Sequence, residues 1–431
     1  MAVVIEALDH EGRGVAHAEG KALFIDGALP REQVEYSIYR SKPTFAFAQI
    51  SKLVRESFSR VQPRCPHFGT CGGCTLQHMD AAAQVAAKQR ILEDNLWHIG
   101  RVRPEQLLAP IHGPSWGYRH RARMSMRYVQ KKGGSLVGFH ERKSGFIADM
   151  HSCDIMPPRI SRLIDPLRVL ISGLTRPDRL PQVEISLGDN VDVLVLRVLE
   201  ALAESDENSL REFADRHNIQ WWLQTKGPDT AQPFYPLDSP ALSYSLPEFA
   251  IEMPFMPTEF TQVNPFVNRV LVRRAINLLD PQPGERIADL FCGLGNFTLP
   301  IARRGPDVVG FEGSASLVTR AAANSAHNGL ASRTQFRTVN LFEVSEAVVA
   351  EWGHFDKLLI DPPRDGAAEL VKSLNGELPR RIVYVSCSPA TLARDANTLV
   401  NTKGYRLESV GIANMFPHTT HVESIALFSR E

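Results

Sequence analysis

Arg286-Ile-Ala-Asp-Leu-Phe291-Cys-Gly293-Leu-Gly295-Asn296 is the stretch that decides how the last third of the chain folds. A short apolar run of the kind buried on both faces of a sheet enters a turn with two glycines, and a helical pattern begins beyond it. The same texture repeats downstream. Asp307-Val-Val-Gly-Phe-Glu312, Phe355-Asp-Lys-Leu-Leu-Ile-Asp361 and Arg381-Ile-Val-Tyr-Val-Ser386 read as buried strands separated by helices, which predicts a mostly parallel, doubly wound sheet. After Gly404, Tyr405 to Ile412 and Ser424 to Phe428 read as an antiparallel pair that closes it. Ligands of such sheets sit at the carboxyl ends of the strands, so the residues just after each strand matter most.

Working outward, the texture changes at Pro257, and three units are expected: 1–56, 57–256 and 257–431. The first carries short alternating runs (Val3 to Leu8, Gly20 to Ile25, Gln33 to Tyr39, Phe45 to Leu53) that suggest a small all-β barrel. The second opens on Cys65-Pro-His-Phe-Gly-Thr-Cys71-Gly-Gly-Cys74, too rich in Gly and Cys for a regular element. A helix should follow from an Asp80 N-cap to Ile99, stopped by Gly100, with Val85, Leu92, Leu96 and Ile99 along one stripe. Residues 118–250 look mostly β, with Gln182 to Leu187 and Asp192 to Leu199 joined as a hairpin.

Length and composition bound the class. At 431 residues the chain is about three times a typical domain of ~150 residues, and 43% hydrophobic with 22% charged residues is ordinary globular usage. Lys plus Arg equal Asp plus Glu at 48 each, so net charge does not announce a polyanion partner and local charge must decide. From Tyr36 to Arg60 five basic residues mix with Tyr36, Tyr39, Phe45, Phe47 and Phe58, a combination suited to single-stranded nucleic acid. In Tyr118 to Lys132, alternation puts Arg119, Arg121, Arg123 and Arg127 on one strand face and Ala122, Met124, Met126 and Tyr128 on the other. That row is read as a phosphate track. No segment resembles a membrane span or a secretory signal, so a cytoplasmic protein without a membrane partner is expected.

The strand ends carry the chemistry. The Gly293/Gly295 turn permits close backbone approach, and Glu312, twenty-three residues beyond Asp289 at the end of the next strand, can accept both ribose hydroxyl protons. A lone G-x-G is weak evidence, but with Glu312 it suits S-adenosylmethionine. Asp361-Pro-Pro-Arg364 ends the third strand, the prolines holding the backbone extended. Alone it resembles the Asp-Pro-Pro-aromatic motif of amino methyltransferases, with Arg364 where the base-stacking ring would be. The fourth strand delivers Ser386-Cys387-Ser388-Pro389 to the same edge. The ordinary reading of a cytosolic cysteine is burial; a thiol at a strand terminus in a cofactor cleft is a candidate nucleophile. A uracil C5 methylation needs one, because C5 becomes nucleophilic only after a thiolate adds to C6. It also needs a base to remove the C5 proton afterwards. Glu423, in Phe416-Pro-His-Thr-Thr-His421-Val-Glu, is that candidate, with His418 and His421 as alternatives whose ordinary reading is structural.

The Gly turn, Asp361-Pro-Pro-Arg, Ser386-Cys-x-Pro and His421-Val-Glu series resembles the RNA uracil-C5 methyltransferase family over essentially the whole chain. The resemblance implies a multidomain fold: an OB-type TRAM barrel, a β-rich central domain with an iron-sulfur site, and a C-terminal Rossmann-like α/β methyltransferase. It assigns the nucleophile to Cys387 and the base to Glu423, and places Gln262, Phe291, Asn296, Glu312, Asn340 and Asp361 around S-adenosylmethionine. Ser388 and Asn414 depart from the family pattern, where Asn and Asp are usual. A barrel combined with four cysteines resembles the branch acting on uracil 1939 of 23S rRNA. The implied partner is a single-stranded or loop segment of that RNA, met by a monomer.

Cys65, Cys71, Cys74 and distant Cys153 need separate weighing, since His67, His78 and His151 lie near them in sequence. On spacing alone a four-thiolate zinc site and a [4Fe-4S] cluster are equally supported. The resemblance implies the cluster, as a closed site that stitches loops. Rival readings are uracil-C5 methylation of another rRNA site or of tRNA, exocyclic-amine methylation, and a noncatalytic RNA-binding protein.

Overall fold

The computed structural model describes residues 2–430. At its C-terminal end lies an eight-stranded sheet in the order Thr334–Thr338, Asp307–Glu312, Arg286–Leu290, Lys357–Ile360, Arg381–Ser386, Glu423–Ser429, Arg406–Ala413, Gln106–Leu107. The first five strands are parallel, Glu423–Ser429 runs antiparallel to both its neighbours, and Gln106–Leu107 joins parallel to Arg406–Ala413. The parallel core and closing pair match the expectation; Thr334–Thr338 and Gln106–Leu107 were not foreseen. Thr334–Thr338, reading Thr-Gln-Phe-Arg-Thr, is an edge strand with none of its residues buried, so it lacks the apolar signature.

The continuous apolar runs follow from cover on both faces. Ile287, Leu359, Val383 and Val385 enter one core, while Ala288, Leu358, Ile360, Ile382 and Tyr384 enter the core on the other side. Period-two alternation thus sends every second residue to a different core, and neither side can be polar.

The helix Ala81–Asn95 starts where predicted, with the Asp80 carboxylate accepting from the backbone N–H groups of Ala82 and Ala83. Its end differs. Residues Leu96–Gly100 form a π-helical turn, and Arg101, not Gly100, takes the left-handed conformation that ends it. The wider turn rotates Ile99 off the stripe to 49% exposure, while Leu92 and Leu96 are buried. Leu92 of this helix and Leu96 share a core with Ile382, Tyr384 and Leu399 of the C-terminal body, and the exposed strand Gln106–Leu107 joins the edge of its sheet. The stretch 57–256 is therefore shared in space between two bodies.

The rest of that stretch is a six-stranded sheet ordered Gln232–Tyr235, Gln220–Gln224, Asp192–Arg197, Gln182–Leu187, Arg121–Val129, Gly134–Gly138. The hairpin of Gln182–Leu187 and Asp192–Arg197 is present. The region is less purely β than expected: helices Ile164–Gly173 and Glu204–His217 cover it, the second making the crossover between the parallel strands Asp192–Arg197 and Gln220–Gln224. Residues 2–55 form a separate six-stranded sheet around Ile5, Leu23, Ile25 and Val34. Among the described residues, no helix is long and apolar enough to cross a membrane.

Candidate active site

Strand register assembles the site. Ser386 pairs with Ser424 across the antiparallel ladder, so the next residues outward, Cys387 and Glu423, emerge side by side at the carboxyl edge of the parallel strands. Lys357–Ile360 pairs with Arg381–Ser386 and puts Asp361 one strand away, its N–H donating to Leu290 O at 3.1 Å. Three strands separated by many residues therefore deliver a thiol and two carboxyls to one place.

The electrostatics of that place are one-sided. Burial, and then the carboxyl groups of Glu423 and Asp361, push the Cys387 thiol up to about 11, with Arg364 pulling the other way. Burial raises Asp361 to about 7, and burial followed by Asp361 holds Glu423 well above the ordinary carboxylate range. Asp289, fully buried inside the first strand, is raised to about 7 by burial, with Asp361 and Glu312 adding to it and the Thr298 hydroxyl, which donates to Oδ2 at 2.5 Å, opposing it. Its other oxygen has no hydrogen-bond partner among the described residues. An orphaned buried carboxyl oxygen among other acids is the environment a ligand bearing cationic groups would complete.

The glycine turn sits beside it. Phe291, Gly293 and Gly295 all have positive φ (66°, 55° and 96°), and a Cβ on Gly293 would meet nothing within 4 Å, so the turn lies open to a ligand. Glu312 accepts from Gly293 N at 3.1 Å and Ser314 N at 3.0 Å, which ties the turn to the end of the neighbouring strand. Phe291 packs against Phe342 with ring centroids 5.5 Å apart, and Phe342 N donates to Asn340 Oδ1 at 3.2 Å. Asn296 exchanges hydrogen bonds with Asn268 at 3.0 and 3.1 Å and accepts from the Tyr244 hydroxyl at 2.9 Å. Asn268, Tyr244 and Gln262 line one small cavity with His120 and Asp189. Phe291, Glu312, Asp361, Cys387 and Glu423 thus lie along the same edge of the sheet, with Cys387, Glu423 and Asp361 at one end and Glu312 and the glycine turn at the other.

Asp289 is a site group that the sequence reading did not assign; a lone acid inside an apolar strand was the available signal. Tyr244 and Asn268 carried none, because they act by holding Asn296. The two departures find local roles. Ser388 caps the helix Pro389–Asn401, its Oγ accepting from Thr391 N at 3.5 Å, and Asn414 Oδ1 accepts from Lys88 Nζ at 2.8 Å. Burial pushes His418 and His421 down to about 4, so both are neutral near pH 7. His421 contacts Arg364, and His418 bonds Gln84.

Two further expectations meet the structure. Arg121–Val129 buries Ala122, Met124 and Met126 as predicted, while Tyr128 is exposed. The arginine face is not free, however: Glu184 on the adjacent strand, 4% exposed, accepts from Arg121 at 2.9 Å and Arg123 at 3.1 Å. Arg121 is only 15% exposed and also donates to Pro257 O, so Arg123 and Arg127 are the cations of that face left open to solvent. In the barrel, Phe24, Phe45 and Phe47 pack on one another under Arg13, and the open rings are Tyr39 and Phe58.

Cys65, Cys71, Cys74 and Cys153 line one cavity with Phe68, Phe139 and Met150. His67 borders it; His78 and His151 do not. Burial raises all four thiols, and no disulfide joins them. Among the described residues, no group of three or more His, Cys, Asp or Glu is arranged to hold a metal ion.

Comparison with known proteins gives a consistent result. Residues 248–431 match the model of the tRNA (Uracil-5-)-methyltransferase family and residues 1–51 match the TRAM domain. The chain is 64% identical to the 23S rRNA (uracil(1939)-C(5))-methyltransferase RlmD of Nitrosospira multiformis, covering 99% of this chain and 98% of that one. It is 59% identical to the protein of the same name from Aromatoleum aromaticum, covering 99% of each. Among solved structures, the tRNA (uracil-54, C5)-methyltransferase of Pyrococcus abyssi in complex with S-adenosyl-L-homocysteine aligns with a TM-score of 0.76 at 26% identity, over 99% of this chain and 100% of that one.

Proposed function

The chain belongs to the RNA uracil-C5 methyltransferase family, and from that premise we propose how its own residues methylate C5 of a uridine in 23S rRNA, of the uracil-1939 type. The observation that carries the reading is the register that sets Cys387 beside Glu423 at the strand edge, with Asp361 one strand away acting on both. S-adenosylmethionine, when bound, supplies the methyl group as an electrophilic sulfonium. The glycine turn, Glu312, Asn296, Gln262, Phe291, Asn340 and Asp361 are the residues that would hold it, and the uncompensated acids suit its positive charge.

Cys387 gives its proton to solvent water and its sulfur adds to uracil C6, which makes the S–C6 bond and moves the electrons of the C5–C6 double bond into the O4 enolate. C5 then takes the methyl group. Glu423 accepts the C5 proton, the C5–C6 double bond re-forms, and the S–C6 bond breaks with sulfur leaving as thiolate. Glu423 must be ionised for its step: the positive charge of the bound donor would favour the carboxylate, and burial, which raises the group, makes that carboxylate a strong base once the methyl group has been transferred. The target base must leave its stack, at a cost of a few kcal/mol. Exposed rings such as Tyr39 and Phe58, at about 1–3 kcal/mol per stacked base, can offset it, which favours a loop or single-stranded segment.

Cys65, Cys71, Cys74 and Cys153 are the residues that would hold a [4Fe-4S] cluster. Support comes from four thiols lining one largely apolar cavity, a donor set of the kind that ligates iron-sulfur clusters. When bound, such a cluster would serve a structural role, tying Cys153 to the loop that carries Cys65, Cys71 and Cys74. Iron and sulfide analysis of anaerobically purified protein should give about four of each per chain.

The deciding experiment uses a 23S rRNA fragment with 5-fluorouridine at the target position, where the proton-removal step is blocked. The wild-type protein should form a covalent adduct only with S-adenosylmethionine present. A folded Cys387→Ala protein should form none; trapping by that variant overturns the assignment.

A further inference from the structure

Glu423 is delivered by the segment Asn414 to Val422, and that segment is gripped by parts of the chain more than 290 residues away in sequence. His418, at its centre, is buried and holds a left-handed backbone at φ 65°. Gln84 reaches it from the helix Ala81–Asn95. Gln84 Oε1 accepts from His418 N at 2.8 Å, and Gln84 Nε2 lies 3.1 Å from His418 Nδ1 while donating to Leu76 O at 3.0 Å and Met79 O at 2.8 Å. His418 O accepts from Thr75 N at 2.9 Å and Leu76 N at 3.0 Å, the residues directly after Cys74. The His418 ring stacks on Trp116 at 4.0 Å, and the Tyr118 hydroxyl donates to Pro417 O at 2.9 Å.

This helix buries Gln84, Lys88 and Leu92. Its two buried polar residues are one turn apart, and both bond the same segment, Lys88 donating to Asn414 Oδ1 and Phe416 O at 2.8 Å each. A buried helix face normally carries apolar side chains, because each buried polar group costs free energy unless its bonds are complete. Here the amide of Gln84 has both ends engaged, and its bonds end on the loop that feeds Glu423 or on that loop's supports.

We infer that Gln84 and His418 are positioning residues for the proton-removal step. They hold the approach to Glu423 so that its carboxyl meets C5 of the adduct, and they take no part in Cys387 addition, which depends on a different strand. The inference rests on Glu423 being the base. A general base must lie within hydrogen-bond reach of its proton, and a misplacement of about 1 Å can cost about 10²-fold.

The test uses full-length wild type, Gln84→Ala, His418→Ala and His418→Asn with two 23S rRNA fragments, bearing uridine or 5-fluorouridine at the target, and tritiated S-adenosylmethionine. Asparagine tolerates positive φ and offers an oxygen to Gln84 Nε2, so it is the conservative replacement. With 5-fluorouridine, adduct formation by all variants should stay within about threefold of wild type, which also shows that they are folded. With uridine, Gln84→Ala and His418→Ala should release product at least about tenfold more slowly, with a methyl-labelled covalent complex accumulating on denaturing gels and KM for RNA unchanged. His418→Asn should recover most of the release rate. Release by Gln84→Ala at the wild-type rate overturns the inference, as does loss of adduct formation in proportion to release. If wild type itself forms no 5-fluorouridine adduct, the underlying assignment of Cys387 fails instead.

Discussion

Two buried acidic regions of this protein behave in opposite ways. On the central sheet, Glu184 meets Arg121 and Arg123 and its charge is answered within the chain. At the edge of the C-terminal sheet, Asp289 and Glu423 are buried with the half-buried Asp361, burial raises each, and none of them forms an ion pair among the described residues. The first arrangement is complete without a ligand and holds two strands together. The second is incomplete: burial favours the protonated form of these carboxyls, and a cationic ligand from outside would favour the ionised form. Buried acids without partners, beside a thiol and a glycine turn, mark a site in a way that buried acids with partners do not.

The contrast can be broken most sharply at Glu423. Glu423→Gln should lower turnover by about 10²–10⁴-fold while methyl-labelled protein–RNA adduct accumulates, measured by gel and by steady-state rate. Normal turnover would remove the base from the site.

Cys387 tests the same environment in the free protein. A thiol raised to about 11 is almost wholly protonated at pH 7, so its alkylation by iodoacetamide should rise about tenfold per pH unit through pH 9 without a plateau. A plateau near pH 7 would mean that the neighbouring acids do not act on it.

Asp289→Asn should weaken S-adenosylmethionine binding yet stabilise the ligand-free protein. The folded-state value is raised from the ordinary 3.8 to about 7, so this group's favourable contribution is complete below pH 4 and is lost as pH rises through 7. The variant should therefore melt a few degrees above wild type at pH 8, with a smaller gap at pH 5. An unchanged gap would place Asp289 with Glu184 instead.

The smallest effects belong to the arginine face. Arg121→Ala leaves one oxygen of the buried Glu184 carboxylate without its partner and should cost about 1–3 kcal/mol in denaturant unfolding. Arg127→Ala should leave stability alone and reduce the salt dependence of RNA binding by about 0.7 in the log–log slope, the value for one single-strand phosphate contact. Equal effects of the two on RNA affinity would restore the unbroken guanidinium row.

The chain's local patterns carried the parallel strands, the glycine turn, the Asp80 cap and the positions of Asp361, Cys387 and Glu423, because alternation, turn chemistry and strand ends are properties of neighbouring residues. The adjacency of Cys387 and Glu423 became readable only once the last strand was recognised as antiparallel to its neighbour. Tertiary structure alone decided that Glu184 would neutralise Arg121 and Arg123, that the helix Ala81–Asn95 would leave the cysteine region to pack on the C-terminal sheet, and that Gln84 would reach His418. Such contacts join residues about 60 to more than 300 positions apart; a charge or an amide looks the same in sequence whether its partner is water or a distant strand, and only packing tells which.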